Sequence, residues 1–329
     1  MKRVGNLLHS IADTDNLRLA VWKAGKGKRY SRQVLDYSND LEINLLNLQS
    51  EILSGKVSVG NYRYFKVYEP KERQICASAF SEQVLHHALM NVCHPYFERY
   101  QVYESYASRK GKGVYAALEK AQHFTQKHTF FLKLDVKKFF DSIHHSVLKS
   151  QLAKRFKDKR LLQIFYQIID SYAASPDRGV PIGNLTSQYF ANHYLAGLDH
   201  FIKENLQCKN YVRYMDDMVL WHDSKEFLKE IKEKINDYIE TNLKCTLKPT
   251  LLNFTSQGLP FLGYRLFPTH VKLLHKSKIR FIHKINRAKT DFERGLITES
   301  KYQQKILPLL SFIFKANTLN FRKSLSLGL

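Results

Sequence analysis

The stretch from Tyr211 to Trp221 reads Tyr-Val-Arg-Tyr-Met-Asp-Asp-Met-Val-Leu-Trp, two short β-favouring runs with adjacent carboxylates between them. No other stretch constrains the chain as much. Runs of this length and type read as strands, so Asp216 and Asp217 fall at the tip of a hairpin. Adjacent carboxylates repel, and an unpaired buried ion costs several kcal/mol, so two of them heading apolar strands point to a bound cation. Mg²⁺ suits them best, because it takes hard oxygen ligands and shares them with phosphates. The plain alternative is an exposed turn, where Asp is common.

A chain of 329 residues, 44% hydrophobic and 13% aromatic, can bury a large core and form two or three subdomains, which excludes a disordered protein. It carries 52 Lys and Arg against 30 Asp and Glu, a net charge of +22 and a pI near 9.7. That surplus points to a polyanionic partner, most often nucleic acid. An anionic membrane surface is the alternative. Nothing supports it, since no apolar stretch approaches the roughly 20 residues of a span and the N-terminus lacks a signal-peptide core. Cys76, Cys93, Cys208 and Cys245 are scattered without a C-x-x-C pair, which argues against structural zinc and a disulfide framework and for a reducing, cytoplasmic setting. His144 and His145 are neighbours and would point apart on a helix, so they read as helix-start residues rather than a ligand pair.

Residues 6–23 and 31–54 have helical apolar spacing, as in Leu41, Leu45, Leu48 and Ile52, separated by the basic run 23–32. From Tyr62 to Ala79 the pattern turns to a β-hairpin whose tip is Glu69-Pro70-Lys71-Glu72. Its Lys66, Lys71 and Arg73 are either solvated charges or a phosphate clamp. A helix from Glu82 to Phe97 and a basic loop, Ser108 to Gly113, follow. Phe130 to Asp135 reads as a buried strand ending on a carboxylate. Two helices then lead through a turn at Gly179 to Gly183 into a long helix from about Asn184 to Leu206. Beyond the Asp-Asp hairpin come a helix opened by Asp223-Ser224-Lys225-Glu226 and a strand near Leu243 to Phe254.

Strand, helices, strand, strand, helix, strand is the split βαβ order of a ferredoxin-like α+β fold. In it the first strand lies beside the central hairpin, so Asp135 can meet Asp216 and Asp217 on one sheet edge. Three such carboxylates suit two-metal phosphoryl transfer, and a strongly positive surface around them implies a polymerase or a nuclease.

Three boxes in this order carry a family likeness over nearly the whole chain. Tyr214-Met215-Asp216-Asp217 resembles the Y-x-D-D box of reverse transcriptases, Leu134 to Asp141 resembles their first catalytic segment, and Phe261-Leu262-Gly263-Tyr264 resembles the hairpin that grips the primer end. The resemblance implies a right-hand polymerase: an N-terminal helical extension at 1–60, fingers at 61–134 with a helical insert near 145–178, a palm at 135–267 and a basic helical thumb at 268–329. It implies that Asp135, Asp216 and Asp217, with the Val136 carbonyl, hold two Mg²⁺ ions, Mn²⁺ being a substitute. Lys71 and Arg73 would embrace the incoming deoxynucleoside triphosphate. Phe140 falls where these enzymes keep a ring that excludes a ribose 2′-hydroxyl. Arg109, in Ser105-Tyr106-Ala107-Ser108-Arg109, resembles a template-side motif, and Tyr214 and Met215 would touch template or primer with the Phe261 to Tyr264 hairpin.

The fourth motif departs from most of the family. Where common members read Gln-Gly, three residues, then Ser-Pro, this chain has Ile182-Gly183-Asn184-Leu185-Thr186-Ser187-Gln188. Ile182, Gly183 and Gln188 in the nucleotide pocket resemble the variant of diversity-generating retroelement enzymes. That likeness implies error-prone copying at template adenines, a template RNA, a cDNA primer and product, and a small basic ring-forming accessory protein. A group II intron-like or defence-associated reverse transcriptase is the alternative, and a non-catalytic RNA-binding palm protein lies outside the enzyme class. Near Lys248-Pro249-Thr250 relatives carry a lysine after the proline, so Lys248 reads as a surface lysine sooner than a pyrophosphate acid. From His270 onward 13 Lys and Arg face 3 Asp and Glu, with Ile279, Ile282, Ile285 and Phe292 expected on the packing face of a thumb helix.

Overall fold

A computed structural model describes residues 3–68 and 72–325. The chain begins with α1 (Leu8–Ile11), α2 (Thr14–Ala24), α3 (Arg32–Asn39) and α4 (Leu41–Ser54). The hairpin β1 (Tyr62–Val67) and β2 (Arg73–Ser78) follows, then α5 (Phe80–Glu98), α6 (Val114–Lys127) and β3 (Phe130–Asp135). Next come α7 (Phe139–Ser142), α8 (His145–Ala153), α9 (Lys159–Asp170), α10 (Leu185–His200), β4 (Tyr211–Tyr214), β5 (Asp217–His222) and α11 (Lys225–Asn242). The chain ends with β6 (Leu251–Phe254), β7 (Leu259–Phe261), β8 (Tyr264–Leu266), β9 (Val271–Leu273), α12 (His275–Glu293), α13 (Glu299–Phe314) and α14 (Leu319–Ser324).

These elements form two compact units from interleaved segments. One comprises 1–103, 136–207 and 234–248; the other comprises 104–135, 208–233 and 249–329. The second holds the antiparallel sheet β4-β5-β3-β6. This is the strand order of a split βαβ fold, as expected. Met218 to Trp221 are all fully buried, as a central strand requires. On one face Phe131, Val219 and Trp221 meet Ala117, Leu118, Ala121 and Phe124 of α6. Trp221 buries its ring there and donates its indole N–H to Thr125 Oγ1 at 3.2 Å, so the bulkiest core side chain leaves no polar atom unmet. The same core continues through Tyr264, Phe281 and Ile313 to the three-stranded sheet β7-β8-β9 and the C-terminal helices.

In the first unit, α5 and the start of α10 are joined by a buried polar chain. His86 meets Glu82 Oε1 at 3.2 Å and Thr186 Oγ1 at 3.0 Å, while Glu82 Oε2 accepts from the Gly60 amide at 3.0 Å. Glu82 and His86 are 2% and 1% exposed, so each depends on the other for its missing water.

Several expectations need correction. The helix read over 6–23 breaks at Asp13, whose carboxylate caps α2 by accepting from the amides of Asp15 and Asn16. The helix over 31–54 is likewise split, at Asp40. Only Leu251–Phe254 of the expected strand 243–254 joins the sheet; Lys244 has φ 50° and Pro249 has no N–H for a ladder. The C-terminal basic segment opens on a strand, β9, before its helices. In α12 the buried stripe is Ser277, Phe281, Ile285 and Ala288, at helical spacing, whereas Ile279 and Phe292 are exposed. Phe292 covers its ring instead by stacking on Tyr302.

Candidate active site

The β3-β5 register makes Asp135 the cross-strand partner of Asp217. The β4-β5 register pairs Tyr214 with Asp217 and leaves Met215-Asp216 as a two-residue turn. Met215 has φ 53° while Asp216 does not have positive φ, the sign pattern of a type II′ hairpin, where glycine is the usual first residue. Methionine there holds backbone strain. Arg213, fully buried in β4, donates from Nη1 to the Met215 carbonyl at 3.1 Å and so braces the turn from below.

Lys133 lies on the same face of β3 as Asp135, two residues earlier. Its ammonium donates to Asp217 Oδ2 at 3.0 Å and to the Pro260 carbonyl at 2.9 Å, and it lies 5.8 Å from the centre of the Phe261 ring. One lysine thus ties the carboxylate to the Phe261-to-Tyr264 hairpin. Asp217 Oδ1 is buried and has no hydrogen-bond partner. Burial pushes the Asp217 carboxyl up to about 6, Lys133 pulls it back, and the charges of Asp135 and Asp216 push it further up. Among the described residues no three His, Cys, Asp or Glu side chains gather into a cation cage. The expected convergence of three carboxylates is therefore only partly built: Asp217 is turned to Lys133, whose charge offsets its desolvation.

The Phe261-to-Tyr264 hairpin turns at Leu262-Gly263, with φ 49° and 93°, both positive as a type I′ turn demands. A Cβ on Gly263 would lie 3.1 Å from the Phe312 ring and 3.2 Å from Ser277 Oγ, so the turn is pressed onto α12 and α13. Tyr264 donates its hydroxyl to the Phe312 carbonyl at 2.8 Å. Arg109 donates to the Ser105 carbonyl at 2.7 Å, bracing its own loop, and Ser105 bridges to Arg213 of β4.

The remaining predicted residues belong to the other unit. Arg73 is exposed at the start of β2. Ile182 gives its carbonyl to the Cys76 amide at 2.8 Å, and a Cβ on Gly183, at φ 132°, would lie 2.6 Å from the Cys76 carbonyl oxygen. The Ile182-Gly183 turn is thus fitted against β2. Phe140, in α7, accepts at its carbonyl from Val180 at 2.9 Å. Val136 is fully buried and bridges Leu247, and Gln188 is exposed on α10. Lys71 lies outside the described residues.

Lys133 and Arg213 were absent from the sequence-derived site. A charged residue inside an otherwise apolar strand was the available signal for both.

A family model described as "Reverse transcriptase (RNA-dependent DNA polymerase)" matches residues 69–266. Protein YkfC of Escherichia coli K12 is 25% identical over 275 residues, covering 69% of this chain and 72% of that protein. The group II intron-encoded protein LtrA of Lactococcus lactis subsp. cremoris is 22% identical over 264 residues, covering 59% of this chain and 44% of LtrA. Apo telomerase from Candida tropicalis aligns with a TM-score of 0.51 at 13% identity, over 71% of this chain and 53% of the telomerase chain. The chain thus spans about half the length of the last two. The telomerase likeness concerns the fold, that of a right-hand polymerase.

Proposed function

The chain belongs to the reverse transcriptase (RNA-dependent DNA polymerase) family, and on that premise we propose that it copies an RNA template into DNA by nucleotidyl transfer. The observation that carries this reading is the register that sets Asp135 opposite Asp217 with Asp216 in the adjoining turn. Hard carboxylate oxygens, one of them buried without a partner, are the donors a divalent cation takes. Asp135, Asp216 and Asp217 would hold Mg²⁺, with the carbonyl of the next residue, Val136, as a further donor. Bound there, the cations would lower the pKa of the attacking hydroxyl and neutralise charge on the transferring phosphate.

The chain's own residues supply the rest. Lys133 orients Asp217 and keeps its carboxylate ionised near neutral pH. Lys71 and Arg73 bind the triphosphate by charge, and the Phe140 ring bars a 2′-hydroxyl. The Phe261-to-Tyr264 hairpin, rigid through its type I′ turn and Phe312, seats the primer end, with Tyr214 and Met215 beside it. Arg109 stands on the template side. The charge surplus of the C-terminal helices supplies affinity for the duplex.

We further infer that the enzyme is error-prone at template adenines and serves mutagenic retrohoming of a diversity-generating retroelement, with a template RNA and a small basic ring-forming accessory protein as partners. Ile182 supports this: an aliphatic side chain offers bulk where a Gln amide would hydrogen-bond. The second reading, a group II intron-like enzyme, is favoured by the similarity to LtrA. Sequencing cDNA made by the wild type and Ile182→Gln on one adenine-rich template separates them. The first reading expects errors concentrated at adenines and reduced about threefold to tenfold by the variant, the worth of one hydrogen bond. Sparse errors spread over all bases, unchanged in the variant, favour the second.

A further inference from the structure

The buried polar chain between α5 and α10 has no part in the polymerase chemistry described above, yet its hub, Glu82, is only 2% exposed. A carboxylate taken out of water costs on the order of several kcal/mol unless hydrogen bonds meet it, and an apolar side chain would fill the same space without that cost. Here the bonds are present. Glu82 Oε2 accepts from the Gly60 amide at 3.0 Å, and Oε1 meets His86 Nε2 at 3.2 Å. The Asn184 side-chain amide reaches the Tyr62 hydroxyl at 3.3 Å and Glu82 Oε1 at 3.5 Å. Tyr62 shares a further hydrogen bond of 2.8 Å with Ser171 just after α9. Burial first, with the Glu82 charge adding to it, pushes the Tyr62 hydroxyl up, so it keeps its proton and remains a donor.

These contacts hold two arms of the unit to one helix. The first arm is the hairpin β1-β2. Glu82 takes the Gly60 amide just before β1, and its neighbour Gln83 donates from Nε2 to the Ser78 carbonyl, the last of β2, at 2.7 Å. A Cβ on Gly60 would lie 3.0 Å from the Ser171 Cβ, so this foot of the hairpin is closely fitted. The second arm is the segment that enters α10. With its Nε2–H given to Glu82, His86 accepts at Nδ1 from Thr186 Oγ1 at 3.0 Å, and Thr186 is fully buried. Just upstream, the Ile182 carbonyl accepts from the Cys76 amide of β2 at 2.8 Å, and Gly183 lies against the Cys76 carbonyl. Hairpin and turn thus touch each other, and both are tied back to Glu82.

In the polymerase reading Arg73, at the start of β2, takes the triphosphate and the Ile182-Gly183 turn lines the nucleotide pocket, so the spacing of hairpin and turn sets the width of that pocket. Hydrogen bonds fix such a spacing in distance and angle, which undirected apolar packing does not, and a satisfied buried network is rigid. We propose that Glu82 and His86 are positioning residues for the incoming nucleotide, acting through Gly60 on the hairpin and through Thr186 on the Ile182-Gly183 turn. The consequence for nucleotide binding rests on the polymerase reading; the anchoring rests on the hydrogen bonds alone. Every residue in it belongs to the same unit, that of 1–103, 136–207 and 234–248.

The test uses the full chain with Glu82→Gln, Thr186→Val, which removes only the hydroxyl from the network, and Thr186→Ser, which keeps it. Single-nucleotide extension on an RNA template reads KM for the deoxynucleoside triphosphate apart from kcat, and hydrogen exchange reads residues 73–79, which include the Cys76 amide. Glu82→Gln and Thr186→Val raise KM about tenfold with kcat kept within about twofold, and Thr186→Ser stays near the wild type. In the same two variants residues 73–79 exchange faster while α6, in the other unit, is unchanged. Should Glu82→Gln fail to fold, the milder Thr186→Val decides. An unchanged KM in folded Thr186→Val, or a loss of kcat that follows the folded fraction at constant KM, overturns the proposal and leaves the network a matter of stability. A wild type that makes no templated DNA overturns the polymerase reading instead. In that event the exchange measurement still judges the anchoring, and unaltered protection at 73–79 overturns it.

Discussion

Lys133 and Asp217 form an ion pair, Nζ to Oδ2 at 3.0 Å, with both side chains 21% exposed, at the place where Asp217 faces Asp135 across the sheet. The pair sets the electrostatics of the carboxylate site. Desolvation and two neighbouring carboxylates favour a neutral Asp217, and a single ammonium opposes them.

Removing that ammonium should therefore shift the site's titration. In Lys133→Met the Asp217 carboxyl rises above its present value of about 6, and the acidic limb of the pH–rate profile moves to higher pH with it. At pH 6.5 the variant needs more Mg²⁺ for half-maximal synthesis, while at pH 8.5 it approaches the wild type. Lys133→Arg restores much of the acidic activity. A profile identical to wild type would remove Lys133 from any role beyond packing.

The same raised carboxyl makes a stability prediction for the metal-free protein. With a folded value of about 6 against an ordinary 3.8, Asp217 holds more protons in the folded than in the unfolded chain between those pH values, so its contribution to stability falls as pH rises through this window. Full linkage would be ~3 kcal/mol, an upper bound for a group with some solvent contact. Urea unfolding in EDTA should show Asp217→Asn gaining on wild type between pH 4 and pH 7. Parallel curves would mean that Asp217 titrates near its ordinary value.

Much of this site was legible in the sequence, and the reasons are local. Phe130 to Asp135 is a largely apolar run ending on a carboxylate, and Tyr211 to Trp221 carries its turn between two β-favouring runs, so the presence of these strands and the place of the carboxylates at their ends followed from the local residue pattern. The Lys133-Asp217 pair did not, because it depends on a diagonal contact between strands whose register the sequence leaves open. The Glu82-His86-Thr186 chain spans 100 residues between its histidine and its threonine and has no local signature. In α12, Ile279 is as apolar as Ile285, and only the packing partners decide which of them is buried.

Sugar selection should rest on Phe140. Shrinking it to Ala opens space for a 2′-hydroxyl and raises ribonucleotide incorporation relative to deoxynucleotide by about tenfold or more, since the ring works by exclusion. Single-nucleotide extension with matched dNTP and rNTP reads this ratio. An unchanged ratio would place discrimination on another side chain.

The most direct measurement of the central claim is primer extension on an RNA template with wild type and Asp216→Asn, alongside RNA affinity for both. The account predicts Mg²⁺-dependent cDNA from the wild type, at least about a thousandfold less from the variant, and RNA binding the same within about twofold, because basic surface and not the carboxylates supplies affinity. Synthesis by Asp216→Asn near the wild-type rate, or no templated DNA from the wild type under any divalent cation, would contradict it.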